Sequence, residues 1–388
     1  MLLHRTPLAW FNLTYRTRRL VTAISGVSFA VLLMCMFKGF ENAYYDSQIQ
    51  LLQKLNGEIF IVNRLKYTMF IPEQFARRRL YQAQAFDGVV AAYPVYMNTG
   101  NWKNPITKAV RPLRAIAFNP HDPVLPLPSI LQHRQDMQMP WTVLVDDKSK
   151  DDIGSKQTGV VTELAEQRVR IVGTYSIGTD FASDNGNIVM SDQNFLRYFA
   201  QAEVGKKSRN LNTVDIGLLK VAPGKDVDLL AKTLRQQLPQ DVAVWTKAEF
   251  IQKELDYWRN NTDIGFVFAL LAGMSFAVGV ILVYQILYTD VAEHSAEYAT
   301  LKAMGYSNLF LLGIVFQESL ILACVGFVPG LAMSFGLYHL TSSATGLFMQ
   351  LTVGRALAIL VATFMMCLVS GAIAVRKVLS SDPAEVFA

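Results

Sequence analysis

The chain has 388 residues, 52% of them hydrophobic and only 17% charged, well below the roughly 25% charged that is usual in soluble domains. The apolar excess lies at the two ends, and a net charge of +5 with no single-sign block excludes a nucleic-acid footprint. Cys35, Cys324 and Cys367 all fall inside apolar runs, so neither a disulfide framework nor a cysteine-based zinc site is expected.

In chain order, residues 1–19 combine Trp10, Phe11 and Tyr15 with Arg16, Arg18 and Arg19. Interfacial aromatics beside arginines suit an amphipathic helix lying on a membrane. Leu20–Phe37 is apolar and carries no charge before Lys38, long enough to span a bilayer, and the first span is placed at 20–40. A cleaved signal peptide is disfavoured, because the basic leader is long and Phe40-Glu41-Asn42 offers no small-residue cleavage site.

Residues 41–262 mix charges as a water-facing domain does and read as α/β. Strand-like runs are Gly57–Val62, Val89–Tyr96, Arg168–Tyr175, Val214–Val221 and Val242–Trp245. Helical patterns cover Pro72–Gln82, Asp226–Leu238 and Lys247–Tyr257. The stretch from Val214 to Thr246 forms a strand–helix–strand unit, and Gly57–Tyr96 supplies the other half of a split βαβ sandwich. Asn119–Asn212 opens with turn signals and is read as a subdomain inserted between a first part, 41–118, and a second, 213–262.

Three further spans follow at 263–287, 309–340 and 356–375, the middle one interrupted around Gly326, Pro329 and Gly330. A short loop, 341–355, joins the last two. Arg16, Arg18 and Arg19 before the first span, with Arg376 and Lys377 after the last, place both termini in the cytoplasm. The α/β segment is then extracytoplasmic and 288–308 cytoplasmic. The expected fold class is a membrane protein with four transmembrane helices and a large α/β extracytoplasmic domain between the first and second.

The cytoplasmic stretch carries Ala292, Ala296, Ala299 and Ala303 at i, i+4, i+7 and i+11, a smooth face if helical. Glu293 and Glu297 lie one turn apart on a neighbouring face, and Gly305 can end the helix. A soluble partner is expected to push on it. Either the alanine face docks, or it packs on the chain's own N-terminal helix and leaves Glu293, Glu297 and Tyr298 outward. Gln285, Gln317 and Glu318 are polar positions within the spans, read as contacts that fix packing or transmit movement rather than as a relay. In the tail, 376–388, Asp382 fits an N-cap, Pro383 the first helical position and Glu385 the capping-box partner.

No phosphate-binding Gly-x-x-x-x-Gly-Lys-Ser/Thr string occurs, and Gly205-Lys206-Lys207-Ser208 lacks the spacing. His4, His121, His133, His294 and His339 are scattered, and Ser183 and Ser191 lie in no nucleophile-elbow setting. A non-catalytic chain without metal or cofactor is therefore expected, its energy coming from outside.

These elements together resemble the FtsX/MacB superfamily of ABC-transporter permeases. Glu297-Tyr298-Ala299-Thr300-Leu301-Lys302-Ala303-Met304-Gly305 is similar to the family's motif between the second and third spans, and Glu318 to its acidic position in the third. Arg376 with Asp382-Pro383-Ala384-Glu385-Val386-Phe387 is similar to the C-terminal signature, and Ala9-Trp10 and Asn12-Leu13 with Arg18-Arg19 to the N-terminal helix. The chain lacks the nucleotide-binding domain fused to MacB and looks closest to DevC-type permeases. The resemblance implies a mechanotransmitter in the inner membrane. Its ATP and Mg would sit on a separate ATPase that contacts Glu293, Glu297, Tyr298, Leu301, Lys302 and Gly305. It also implies a second permease copy, a periplasmic adaptor, a TolC-like outer-membrane channel, and lipid or glycolipid cargo. It implies a porter-like outer domain carrying a smaller insertion as well. Within the superfamily the alternatives are a Lol-type lipoprotein-release permease and an FtsX-type regulator of cell-wall hydrolases. Outside it they are a membrane-tethered ligand sensor and, less favoured, a membrane enzyme.

Overall fold

The computed structural model describes residues 17–178, 185–200, 209–345 and 349–380. The chain divides into a helical unit, made of the residues up to Ala43, Ile264–Ala344 and those from Met349 on, and an α/β unit, Tyr44–Asp263. Among the described residues, four helices are long and apolar enough to cross a membrane.

Helix α1 (Thr17–Lys54) is 38 residues long and does not stop at residue 40. Its last turns are enclosed nearly all round: Tyr44, Tyr45, Ser47, Gln48, Ile49, Leu51 and Leu52 are buried. Leu51, Leu52 and Leu55 join a core of the α/β unit, and that packing carries the helix past the end of the continuous apolar run.

The α/β unit then adds β1 (Ile59–Asn63), β2 (Phe75–Ala76), α2 (Arg78–Gln84), β3 (Val89–Lys103), β4 (Val110–Phe118), β5 (Thr142–Asp146), β6 (Val161–Leu164), β7 (Gln167–Tyr175), β8 (Asn187–Ser191) and α3 (Asp192–Phe199). It closes with β9 (Thr213–Val214), β10 (Ile216–Val221), α4 (Val227–Gln237), β11 (Val242–Thr246) and α5 (Lys247–Asn260). Nine strands form one sheet in the order β11-β1-β10-β3-β4-β8-β5-β7-β6, while β2 pairs with β9. β10 and β11 both run antiparallel to β1, and β1 and β3 both run antiparallel to β10. β1-α2-β3 and β10-α4-β11 are thus two interlocked split βαβ units. Helix starts are set by side chains: Asp226 caps α4, and Thr246 with Glu249 forms a capping box on α5.

The insertion begins earlier than residue 119. β3 pairs with β10 up to Val95 and with β4 from Tyr96 onward, so one 15-residue strand serves both parts of the sheet. Asn98-Thr99-Gly100-Asn101 looks like a turn, but Gly100 leaves the space that Leu164 and Phe199 fill. The expected helix from Pro72 starts only at Arg78, because Phe75 and Ala76 pair with Val214 and Thr213. Two apolar layers cover the two faces of the sheet. One includes Leu80, Ala231, Leu234 and Phe195 from the helices, the other Leu52, Phe250, Val124 and Met137.

In the helical unit, α6 (Asp263–Glu293), α7 (Ser295–Ala303), α8 (Asn308–Thr345) and α9 (Val353–Ser380) follow. α8 contains Pro329 and is unbroken. Its glycines form a packing seam with α1. A Cβ on Gly326 would lie 2.6 Å from Val27 Cβ, and one on Gly330 2.7 Å from the Ser28 carbonyl oxygen. Ser28 Oγ donates to the Gly326 carbonyl at 2.9 Å, and the Tyr338 hydroxyl donates to the Cys35 carbonyl. Close backbone approach and hydroxyl-to-carbonyl bonds are how helices associate where lipid removes the hydrophobic drive.

Candidate functional site

The stretch between the second and third long helices is built from two helix ends. α6 stops at Glu293; His294 turns the chain, with its Nδ1 donating to the Asp290 carbonyl at 2.9 Å. α7 then runs nine residues to Ala303. Gly305 takes φ +89°, the Tyr306 amide donates to Leu301 O at 3.1 Å, and the Gly305 amide to Lys302 O at 3.0 Å. This pair of bonds is a Schellman closure, which needs a left-handed residue. Glu297 in the first turn and Lys302 in the last complement the helix dipole.

α7 has an inner and an outer face. Tyr298 is only 4% exposed and packs in a cluster with Val291 of α6, Leu311, Ile314 and Val315 of α8, and Val375 of α9, with Leu301 against it. Ala296, Glu297, Thr300 and Ala303 are exposed, as is Glu293 at the end of α6. Tyr298 therefore does not face outward with Glu293 and Glu297. Nor do the four alanines form one face: the helix breaks at His294, Ala292 belongs to α6, and only Ala299 is buried. Lys302 and Leu301 are half-buried and Gly305 is exposed.

One turn further into the bundle lies a polar layer. Glu318 and Ser319 are fully buried, at i+4 from Ile314 and Val315, on the face that carries the cluster. Gly371, at i−4 from Val375, would place a Cβ 3.4 Å from Ser319 and 3.8 Å from Leu287. Ser370 Oγ donates to the Val280 carbonyl at 2.9 Å and ties α9 to α6. Gln317, adjacent to Glu318, and Gln285 are exposed, so the structure does not bring the three polar positions together. Asp382, Pro383 and Glu385 and the amphipathic segment before residue 17 lie outside the described residues.

Tyr298 thus packs between the outer face of α7 and helices α8 and α9, one turn from the layer that holds Glu318. Sequence reasoning missed Val291, Leu311, Ile314, Val315 and Val375, because apolar residues within apolar runs carry no signal of their own. Among the described residues no cluster of His, Cys, Asp and Glu could hold a metal.

Residues 269–383 match the family model described as FtsX-like permease C-terminal. The match takes in most of α6 and the whole of α7, α8 and α9. This region is similar to the C-terminal domain of FtsX-like permeases. No curated relative matches the chain. Among solved structures it is similar to the periplasmic region of MacB from Actinobacillus actinomycetemcomitans, at 11% identity and a TM-score of 0.36, covering 52% of this chain and 94% of that one. It is also similar to the extracellular domain of the noncanonic ABC-type transporter YknZ from Gram-positive bacteria, at 11% identity and a TM-score of 0.35, covering 49% and 99%. A domain of a putative permease from Porphyromonas gingivalis matches at 13% identity and a TM-score of 0.33, covering 48% and 88%.

Proposed function

We propose that the chain is the permease subunit of an ABC exporter of the MacB-like type, a mechanotransmitter with no chemistry of its own. A separate ATPase binds the outer face of α7, at Glu293, Ala296, Glu297 and Thr300, and its ATP-driven closure moves the spans. Tyr298 and Leu301 act from within, as the bearing between that face and the bundle. The observation that carries this reading is the two-faced α7 helix, exposed on one side and packed through Tyr298 against three spans on the other, inside the region that matches the permease family.

The rest of the proposal follows from the motifs. The chain resides in the inner membrane with both termini cytoplasmic and works as two copies. The α/β domain is periplasmic and hands force to an adaptor and a TolC-like channel, with lipid or glycolipid as cargo of the DevC-type system.

The test is reconstitution of the chain with its ATPase partner. Ala296→Trp adds bulk on the exposed face and should lower coupled transport about tenfold or more. Thermal unfolding should move by less than ~0.5 kcal/mol, as expected for surface substitutions. Normal coupling in that variant would remove α7 as the docking helix.

A further inference from the structure

Loop 64–67 of the α/β unit has its polarity reversed. It reads Arg64-Leu65-Lys66-Tyr67. A loop in water turns its lysine out and its leucine in. Here Lys66 is buried, while Leu65 is 72% and Tyr67 49% exposed. The reversal is built into the scaffold. Asn63 Oδ1 accepts from the Leu65 amide at 2.8 Å, Lys66 Nζ donates to the Ile71 carbonyl, and Lys253 Nζ donates to the Lys66 carbonyl at 2.8 Å. Glu254 accepts from the Met69 amide. Four anchors thus hold the loop with two large side chains, Leu65 and Tyr67, outward on a fixed turn.

The neighbouring aromatics indicate the medium around the loop. The Tyr67 ring stacks on Tyr257 with centroids 5.2 Å apart, Tyr257 meets Trp258 at 5.6 Å, and Trp258 meets Tyr44 at 6.1 Å. Arg259 lies over Tyr45 at 5.5 Å. Both chain connections to the membrane spans run through this group. Tyr44 lies seven residues beyond Phe37, the end of the apolar run, in the uninterrupted α1, or about 10 Å along the axis at the helical rise. Trp258 lies five residues before Asp263, where α6 begins. A belt of Tyr and Trp with an arginine, which begins at Tyr44 about 10 Å past a span's apolar end, suits headgroup depth.

We infer that residues 64–67 form an interfacial foot of the α/β domain. Leu65 enters the boundary between headgroups and acyl chains of the bilayer leaflet on that side, and Tyr67 extends the aromatic belt. The assignment of the foot rests on that of the spans and not on the ABC-exporter reading.

The experiment uses the full chain, free of Cys35, Cys324 and Cys367, in nanodiscs of phosphatidylethanolamine and phosphatidylglycerol. Nitroxide labels are placed at Leu65→Cys, at Leu270→Cys on the exposed side of α6, and at Leu229→Cys, an exposed position on α4. Collision with oxygen is compared with collision with a water-soluble nickel chelate. The oxygen-to-nickel ratio at position 65 is expected several-fold above that at 229 and toward that at 270. A ratio at 65 equal to that at 229 would overturn the foot, as would shielding from both reagents, the signature of a protein contact. Water-like values at both 65 and 270 would overturn it together with the span assignment.

Discussion

The two units bury polar atoms in opposite ways. In the helical unit the buried polar groups are mostly hydroxyls that satisfy backbone carbonyls, such as Ser28 on Gly326 and Ser370 on Val280, and the seams are made by missing side chains at Gly326 and Gly330. Among the described residues Glu318 is the exception. The α/β unit buries whole charges: Asp215 pairs with Arg209 and accepts from the Met97 amide, and Lys66 and Glu254 are almost wholly enclosed. A bundle surrounded by lipid gains nothing from hiding apolar surface, so its specificity must come from shape. A water-facing sheet with an apolar core on each face can carry the desolvation of a few charges and use them to fix its loops. The two units should therefore fail for different reasons, one when volume is added and the other when charge is changed.

The largest effect is expected from pH on the α/β unit. Burial pushes the Glu254 carboxyl up to about 7 from the usual 4.5 and the Lys66 ammonium down to about 8 from 10.5. Between pH 4.5 and 7 the folded chain holds a proton on Glu254 that the unfolded chain has released, so stability falls as pH rises through that window. Between 8 and 10.5 the folded chain has lost the Lys66 proton that the unfolded chain keeps, so stability rises again. Each limb is worth up to ~3 kcal/mol at about 1.4 kcal/mol per pKa unit. Asp146, raised to about 6 by burial, adds to the acid limb only below that pH. Of the five tryptophans all but Trp10 lie in the α/β unit, so their fluorescence in denaturant reports it. Glu254→Gln should flatten the curve between pH 6 and 7 and leave the alkaline limb. An unchanged fall in that interval would show that the buried charge does not govern this unit.

In the bundle the contrast is sharpened by a methyl group. Gly330→Ala would press a Cβ against the Ser28 carbonyl and Val31, atoms that move only with the helix, and should cost ~1–3 kcal/mol as overpacking does. Gly279→Ala meets chiefly the Met366 thioether, a flexible group, and should cost less. Gly336→Ala meets nothing within 4 Å and should be neutral or stabilising by up to ~1 kcal/mol through helix propensity. Unfolding in mixed detergent micelles gives the ranking. A Gly330 variant as stable as the Gly336 one would mean that the α1–α8 seam does not hold the bundle.

The sequence carried the outline of both units but not their detail. Runs of about twenty apolar residues mark a span on their own, so four spans were legible. The split βαβ pairing was legible from alternating strand and helix patterns. β5 and β8 were not, since Thr142–Asp146 and Asn187–Ser191 are five-residue buried runs without a period to read. In the stretch 288–305 a helix was legible and the orientation of its faces was not. The alanine spacing was counted through His294, where the helix restarts. Gln317 and Glu318 are neighbours in sequence but about 100° apart around α8, so one is exposed and the other enclosed.

Gly305 gives the smallest effect and separates two uses of glycine within the helical unit. Like Gly336 it has open space where a Cβ would sit, so a volume argument predicts no cost for either. Its backbone, however, is at φ +89°, which an L side chain rarely adopts, and the two bonds that close α7 depend on that turn. Gly305→Ala should therefore cost about 1 kcal/mol, and Gly305→Asn less, because asparagine tolerates the left-handed region. The loss should appear locally, as faster amide exchange at Gly305 and Tyr306, whose amides make the closing bonds, while exchange in the spans is unchanged. If alanine is as good as glycine there, α7 is held by the packing of Tyr298 and its neighbours, and its C-terminal closure adds nothing to the rigidity of that helix.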